Sequence, residues 1–145
     1  MARPFRLVAP ELYEIDVYQQ CAVALDKLLM PPAIWCCYPA GALQLLPQQT
    51  ARLMRLGLKP GWPDLLIGHK GMFGVEVKRI GGRLSKTRMV RTKRGSPRVV
   101  EGQEDVFPRL LASGAFAAIA VVSSVDEMLA QLRQWEIPIR SALCG

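Results

Sequence analysis

Residues 61–79 read GWPDLLIGHKGMFGVEVKR, and they constrain the fold more than any other stretch. Two short apolar runs are set within it, and each carries a charge that a buried strand ordinarily excludes. The first, Asp64-Leu65-Leu66-Ile67-Gly68, is entered through Gly61-Trp62-Pro63. The second, Phe73-Gly74-Val75-Glu76-Val77-Lys78-Arg79, alternates along its length. His69-Lys70-Gly71-Met72 separates them with turn character, so the two runs are expected to pair as an antiparallel hairpin. Side chains two apart in a strand share a face, which puts Glu76 and Lys78 together and Val75 and Val77 opposite. Asp64 opens the first strand at the end away from the turn, the same end toward which Glu76 lies. Two acids and a lysine are therefore expected on one patch. Carboxylates held close repel unless a cation neutralises them, and Mg²⁺ takes oxygen ligands of this kind. The lysine suits stabilisation of a phosphate oxyanion or activation of an attacking water.

The flanking chain predicts the layers around this hairpin. From Glu11 to about Met30, Leu12, Ile15, Tyr18, Ala22, Leu25 and Leu29 recur at helical spacing, and Pro31-Pro32 stops the run. Glu11, Glu14 and Asp16 load its first turns with negative charge; helix-end stabilisation and a metal role both account for them. Ile34–Tyr38 reads as a strand ended by Pro39-Ala40-Gly41. Gln48–Leu56 reads as a helix with Leu53 and Leu56 apolar and Gly57 as its end. Val100–Ser113 reads as a helix with Val106, Leu110 and Leu111 inward. Pro108 implies a kink or a late start, and Gly114 is the stop. Ala117–Val122 is a continuous apolar run, expected to be a strand covered on both faces. Ser123-Ser124 cap a last helix, Val125–Trp135. The order implies an α/β fold, a mixed sheet sandwiched between helices. It forms a single domain over residues 11–145 after a loose arm at residues 1–10.

Composition matters at three points. The chain has 145 residues, half apolar and 21% charged, enough for a globular core. The formal charge of +7 and a pI near 9.6 favour a polyanionic partner. Much of that charge sits between Arg83 and Arg98, a segment without a single acid, which reads as a long loop or an exposed hairpin. Arg83, Lys86, Arg88, Arg91, Lys93, Arg94 and Arg98 are its candidate nucleic-acid contacts. No apolar run reaches membrane-spanning length and the N-terminus has no signal-peptide character, so a cytoplasmic protein is expected. Cys21, Cys36, Cys37 and Cys144 match no zinc spacing and are expected to be buried thiols. His69, the lone histidine, lies in the turn and is a poor general base.

Pro63-Asp64 on one strand and Glu76-Val77-Lys78 on the next resemble the PD-(D/E)xK nuclease superfamily. Gly-Trp-Pro-Asp-Leu-Leu-Ile, then Val-Glu-Val-Lys and Gly-Gly-Arg-Leu-Ser, narrow the resemblance to the VRR-NUC branch. So do Gln103 on a helix, Leu111-Ala112-Ser113-Gly114 before a strand, and Ser123–Glu127 leading into a helix. The likeness runs from about Glu11 to Trp135. It implies a restriction-endonuclease-like core and a Mg²⁺- or Mn²⁺-dependent DNA phosphodiesterase. By that resemblance Asp64, Glu76 and Glu14 would bind metal, Val77 would add a backbone carbonyl, Lys78 would assist the water and Gln103 would support the site. Glu11 and Asp16 compete with Glu14 for the first-helix position. Stand-alone members of this size act on branched DNA, so branched or flapped DNA (Holliday junctions or flaps) and a homodimer are implied. One departure is that residues 86–100 separate Ser85 from Gln103, which in the family lie a few residues apart; the segment reads as a basic insertion. Two other functions compete with this one. A non-catalytic DNA-binding module on the same fold has no use for carboxylates facing phosphate, and an enzyme for small phosphoesters has no use for the basic segment.

Overall fold

The computed structural model describes residues 13–38, 46–91, 93 and 95–141. The expected arm at 1–10, Glu11, Leu12, the 39–41 strand end, Arg94 and Cys144 lie outside them. In chain order the elements are α1 (Glu14–Leu28), β1 (Ile34–Cys37), α2 (Pro47–Arg55), β2 (Leu65–Gly68), β3 (Met72–Val77), β4 (Arg88–Val90), β5 (Arg98–Val100), α3 (Gln103–Ala112), β6 (Phe116–Val122) and α4 (Val125–Gln134). The main sheet has the order β1-β2-β3-β6. The first three strands are antiparallel and β6 runs parallel to β3, so the sheet is mixed. With four helices around it, the class is α/β. Among the described residues no helix is long and apolar enough to cross a membrane.

Alternation along β2 and β3 divides the apolar residues between two cores. On one face Leu65, Ile67, Val75 and Val77 pack with Val17, Cys21 and Leu25 of α1 and with Met128, Leu129 and Leu132 of α4. On the other, Leu66 and Met72 meet Val106, Phe107 and Leu110 of α3, with Trp62, Phe116 and Ile119. Each fully buried Leu or Ile contributes about 1.5–3 kcal/mol over its exposed state, so both faces anchor the hairpin. Glu76 and Lys78 have the parity of Met72 and Gly74 and therefore sit on the α3 side.

Three expectations about these elements change. On α1 the buried stripe is Val17, Cys21 and Leu25, an i, i+4, i+8 row, whereas Ile15 is exposed. Cys21 behaves there as a small hydrophobe, which shifts the apolar face. On α3 Phe107 is buried in place of Leu111, and Pro108 lies inside the helix. On β6 the register shifts between Met72 and Phe73, whose partners are Phe116 and Ala118, leaving Ala117 as the extra residue. A bulge of this kind inverts the alternation. Phe116 and Ile119 then both face α3 while Val122 faces α4. Val121, paired with Glu76, is 46% exposed, so the strand is not covered on both faces.

The 83–98 segment takes the exposed-hairpin form. β4 and β5 pair antiparallel as a separate two-stranded sheet, with Met89 opposite Val99. Ser124 caps α4 as expected, its hydroxyl accepting from the Glu127 N–H at 3.1 Å. Cys21 is buried, whereas Cys36 and Cys37 are exposed on the edge strand β1. The expectation of buried thiols therefore fails for those two.

Candidate active site

The β2–β3 register creates the site. Leu65 pairs with Val75, so Asp64, one residue before β2, comes opposite Glu76. The two residues are tied together by hydrogen bonds. The Asp64 N–H donates to Glu76 Oε2 at 3.2 Å, and the Val77 N–H donates to Asp64 Oδ2 at 2.9 Å. Val77 thus turns its backbone toward Asp64. In an antiparallel pair the N–H and C=O of one residue lie on the same edge, which directs its carbonyl the same way. The Asp64 carbonyl is held from two sides, by the Tyr38 N–H at 2.7 Å and the Tyr18 hydroxyl at 3.0 Å. Pro63 packs on Gly74, where an added Cβ would come within 2.6 Å of the proline ring. Only glycine leaves that room, so Gly74 fixes the height at which Asp64 enters the sheet.

Glu76 is 1% exposed and among the largest fully buried side chains. Lys78 Nζ lies 3.1 Å from Glu76 Oε1, and Gln103 Nε2 donates to the same oxygen. Burial drives the Glu76 carboxyl above its usual range, opposed by Lys78, Gln103 and the Asp64 N–H. Asp64 is pushed from 3.8 to about 7, first by burial and next by the charge of Glu76; the Val77 N–H and Lys78 pull it back. The site therefore holds two acids against one ammonium, and with both acids ionised its second negative charge lacks a counterion.

Gln103 reaches Glu76 because Ser85 clamps it. The Ser85 N–H donates to Gln103 Oε1 at 3.1 Å, and the Gln103 N–H donates to Ser85 Oγ at 3.0 Å. The Glu104 N–H adds a bond to the Ser85 carbonyl at 3.1 Å. The first N–H groups of a helix have no partner within it, and here Ser85 supplies two of them from a distant part of the chain. Thr87 extends the clamp: its hydroxyl accepts from the Gly102 N–H at 3.0 Å and donates to the Asp105 carboxylate. A Cβ on Gly102 would lie 2.3 Å from the Lys86 carbonyl carbon, so the two chain segments cross where a side chain has no space. The segment between Ser85 and Gln103 thus leaves and returns at one point, with the glutamine still against the acid.

Asp64, Glu76, Lys78, Gln103 and the Val77 backbone come together as one network. Glu14, the first residue of α1, is exposed and makes no hydrogen bond or ion pair with these residues, but its charge adds to the rise at Asp64. Asp16 lines a separate groove on the outer side of α1 with Gln19, Gln20 and Val23. Among the described residues no three His, Cys, Asp or Glu side chains form a metal cage by themselves. His69 stays in the turn, its Nδ1 buried without a hydrogen-bond partner. Of the candidate DNA contacts, Arg83, Lys86, Arg88, Arg91, Lys93 and Arg98 are all exposed. The ion pairs among the described residues are Lys78–Glu76 and Arg109–Glu101, so none of these six is matched to a carboxylate.

Sequence reasoning passed over Tyr18, Tyr38 and Gly102. Tyr18 sits at the border of the α1 stripe, where a tyrosine with a buried ring ordinarily finds a partner for its hydroxyl. That was its available signal. Gly102 carries none, since its constraint comes from a chain segment some fifteen residues away. No protein-family profile matches the chain, and no curated protein or solved structure matches it.

Proposed function

We propose that the chain is a divalent-metal-dependent DNA endonuclease with a restriction-endonuclease-like core, acting on branched or flapped DNA. One observation carries the reading: a buried Glu76 and a half-buried Asp64, bonded across a hairpin with a lysine and a glutamine on Glu76, sit beside a hairpin whose described cations are unmatched. Asp64, Glu76 and the Val77 carbonyl form an all-oxygen donor set suited to Mg²⁺ or Mn²⁺. Each carboxylate oxygen has two lone pairs, so the present hydrogen bonds leave capacity for a cation. The raised proton affinity of Asp64 fits the same need, because a cation relieves the repulsion that helps to raise it. Glu14, whose charge is felt at Asp64, would add a third carboxylate. A bound divalent ion would polarise the scissile phosphate and lower the pKa of its water.

The remaining roles fall on side chains. Lys78, held by Glu76, presents its ammonium where an attacking water or a developing phosphorane oxygen needs a hydrogen-bond donor. Gln103 fixes the Glu76 carboxylate and keeps it from rotating onto Lys78 alone. Arg83, Lys86, Arg88, Arg91, Lys93, Arg94 and Arg98 neutralise backbone phosphates, giving affinity that falls with salt and depends little on sequence. Cutting both arms of a junction calls for two sites, which a symmetric homodimer in the cytoplasm supplies. The test is a panel of labelled flap, fork, four-way and linear DNAs in Mg²⁺, Mn²⁺ or EDTA. Metal-dependent cutting that favours branched substrates is expected. Binding without cutting in either metal would leave a DNA-binding module instead.

A further inference from the structure

A groove of about 670 Å³ lies between α2, the 58–62 turn, β5 and α3. Its walls are apolar along Met54, Leu58, Pro60, Val106 and Leu110, with Trp62 among them. Three cations, Lys59, Arg98 and Arg109, stand in the same lining against one acid, Glu101, which is already paired with Arg109. Its charge therefore complements an anionic chain, while its apolar area complements flat, uncharged groups. The lining is also pre-positioned. Trp62 is stacked on Tyr38 at 5.4 Å and set edge-on to Phe116 at 5.8 Å. The Lys59 backbone is clamped by Tyr38, whose hydroxyl donates to the Lys59 carbonyl at 3.0 Å and accepts from its N–H at 2.9 Å.

The groove adjoins the acid pair through two elements at once. Trp62 is two residues before Asp64, and Val106 is one turn beyond Gln103 on α3. Gly61, with φ +87°, lies so close to Val106 that a Cβ there would meet its side chain at 2.8 Å, which ties the two walls together. We infer that this groove holds unpaired nucleotides next to the scissile phosphate, with bases against Trp62 and the apolar wall and phosphates on Lys59 and Arg98. An apolar, aromatic channel with a cationic rim binds single strands regardless of sequence, because every base has an apolar face and every linkage a charge. A rigid duplex keeps its bases stacked inside and offers this channel only its backbone. The inference rests on the nuclease reading and deepens it: the preferred substrate carries a single-stranded stretch at the cut.

The experiment measures binding alone, in EDTA, so that it does not depend on cleavage. Fluorescence anisotropy compares a labelled oligo-dT of about 12 nucleotides with a blunt duplex of equal length. Lys59→Glu with Arg98→Glu is expected to weaken oligo-dT binding at least about 10-fold more than duplex binding, and Trp62→Leu to act in the same direction. Trp62 also packs on the α3 core, so the charge-reversed pair carries the decision if the Leu variant does not fold. Equal losses on the two DNAs, or unchanged oligo-dT binding, would overturn the inference. So would a change in oligomeric state of the charge-reversed protein without a change in oligo-dT binding, which marks the groove as an interface between copies. If selective oligo-dT binding holds but no DNA is cut in Mg²⁺ or Mn²⁺, the nuclease reading fails and the groove stands.

Discussion

The acid site and the β4–β5 hairpin lie one clamp apart and are built on opposite principles. At the acid site Glu76 is buried, its carboxylate is bonded on both oxygens, and the backbone is fixed by a sheet on one side and by Ser85 on the other. On the hairpin the described cations are exposed and unmatched, and its cross-strand pair, Met89 and Val99, faces solvent at 63% and 58% exposure. Buried charges demand full satisfaction because desolvation leaves no alternative, whereas exposed arginines cost little to leave waiting for phosphate. Under the proposed function, chemistry belongs to the bonded region and affinity to the exposed one. Each half of that division can be broken separately.

The largest effect is expected from Glu76→Gln or Lys78→Ala. Removing a group that organises transition-state charge commonly costs about 10²–10³-fold in rate, so cleavage should fall by at least about 100-fold. DNA affinity in EDTA should stay within about 3-fold of wild type if the division holds. Gel assays and anisotropy on the same preparations read the two quantities. The mirror experiment replaces residues 88–100 with a short Gly-Ser link. Affinity should fall at least about 10-fold, and the slope of log K against log salt should flatten by about 0.9 for each phosphate no longer neutralised. Unchanged affinity and slope would remove the hairpin from DNA binding.

Gly102→Ala probes the clamp between the two regions. The added methyl meets the Ser85 and Lys86 backbone at 2.4 and 2.3 Å, so the crossing must open. Overpacking of this kind costs about 1–3 kcal/mol, and the movement should pull Gln103 from Glu76. Both melting temperature and cleavage rate should drop. Gly81→Ala, at an open position with φ +76°, should spare the rate.

Much of the acid site was legible in the sequence because its geometry is local. Period-two alternation put Glu76 and Lys78 on one face, and the short turn put Asp64 and Glu76 toward the same end of the hairpin. Gln103 was reached only through the family resemblance, across an insertion that hides its proximity to Ser85. Nothing local marks that the inserted hairpin leaves and returns at one point, since the closure depends on Gly102 crossing Lys86. The bulge at Ala117 was hidden for a related reason: a run of small and β-branched residues reads equally well in either register. Glu14 was chosen among Glu11, Glu14 and Asp16 through the same resemblance, because the acids at the start of a helix look alike in sequence.

A smaller effect concerns pH. In the metal-free protein the Asp64 carboxyl is raised from 3.8 to about 7, so between those values the folded state binds more protons than the unfolded chain. Stability should therefore fall as pH rises from about 4 to about 7. Asp64→Asn should flatten that fall and raise the melting temperature at pH 8 by a few degrees, about 2–4 °C for each kcal/mol gained. Because metal and proton compete for the pair, stabilisation by Mg²⁺ should be larger at about pH 8 than at about pH 5.5. Thermal melts at both pH values, with Mg²⁺ and with EDTA, check all three statements.

The most direct measurement of the central claim is the cleavage rate of a flapped DNA as a function of Mg²⁺ concentration, for wild type and Glu76→Gln side by side. A metal centre built on Asp64 and Glu76 predicts saturable, EDTA-reversible cutting by wild type and a loss of at least about 100-fold in the variant at every Mg²⁺ concentration. Cutting that ignores EDTA, or a variant as fast as wild type, would contradict it.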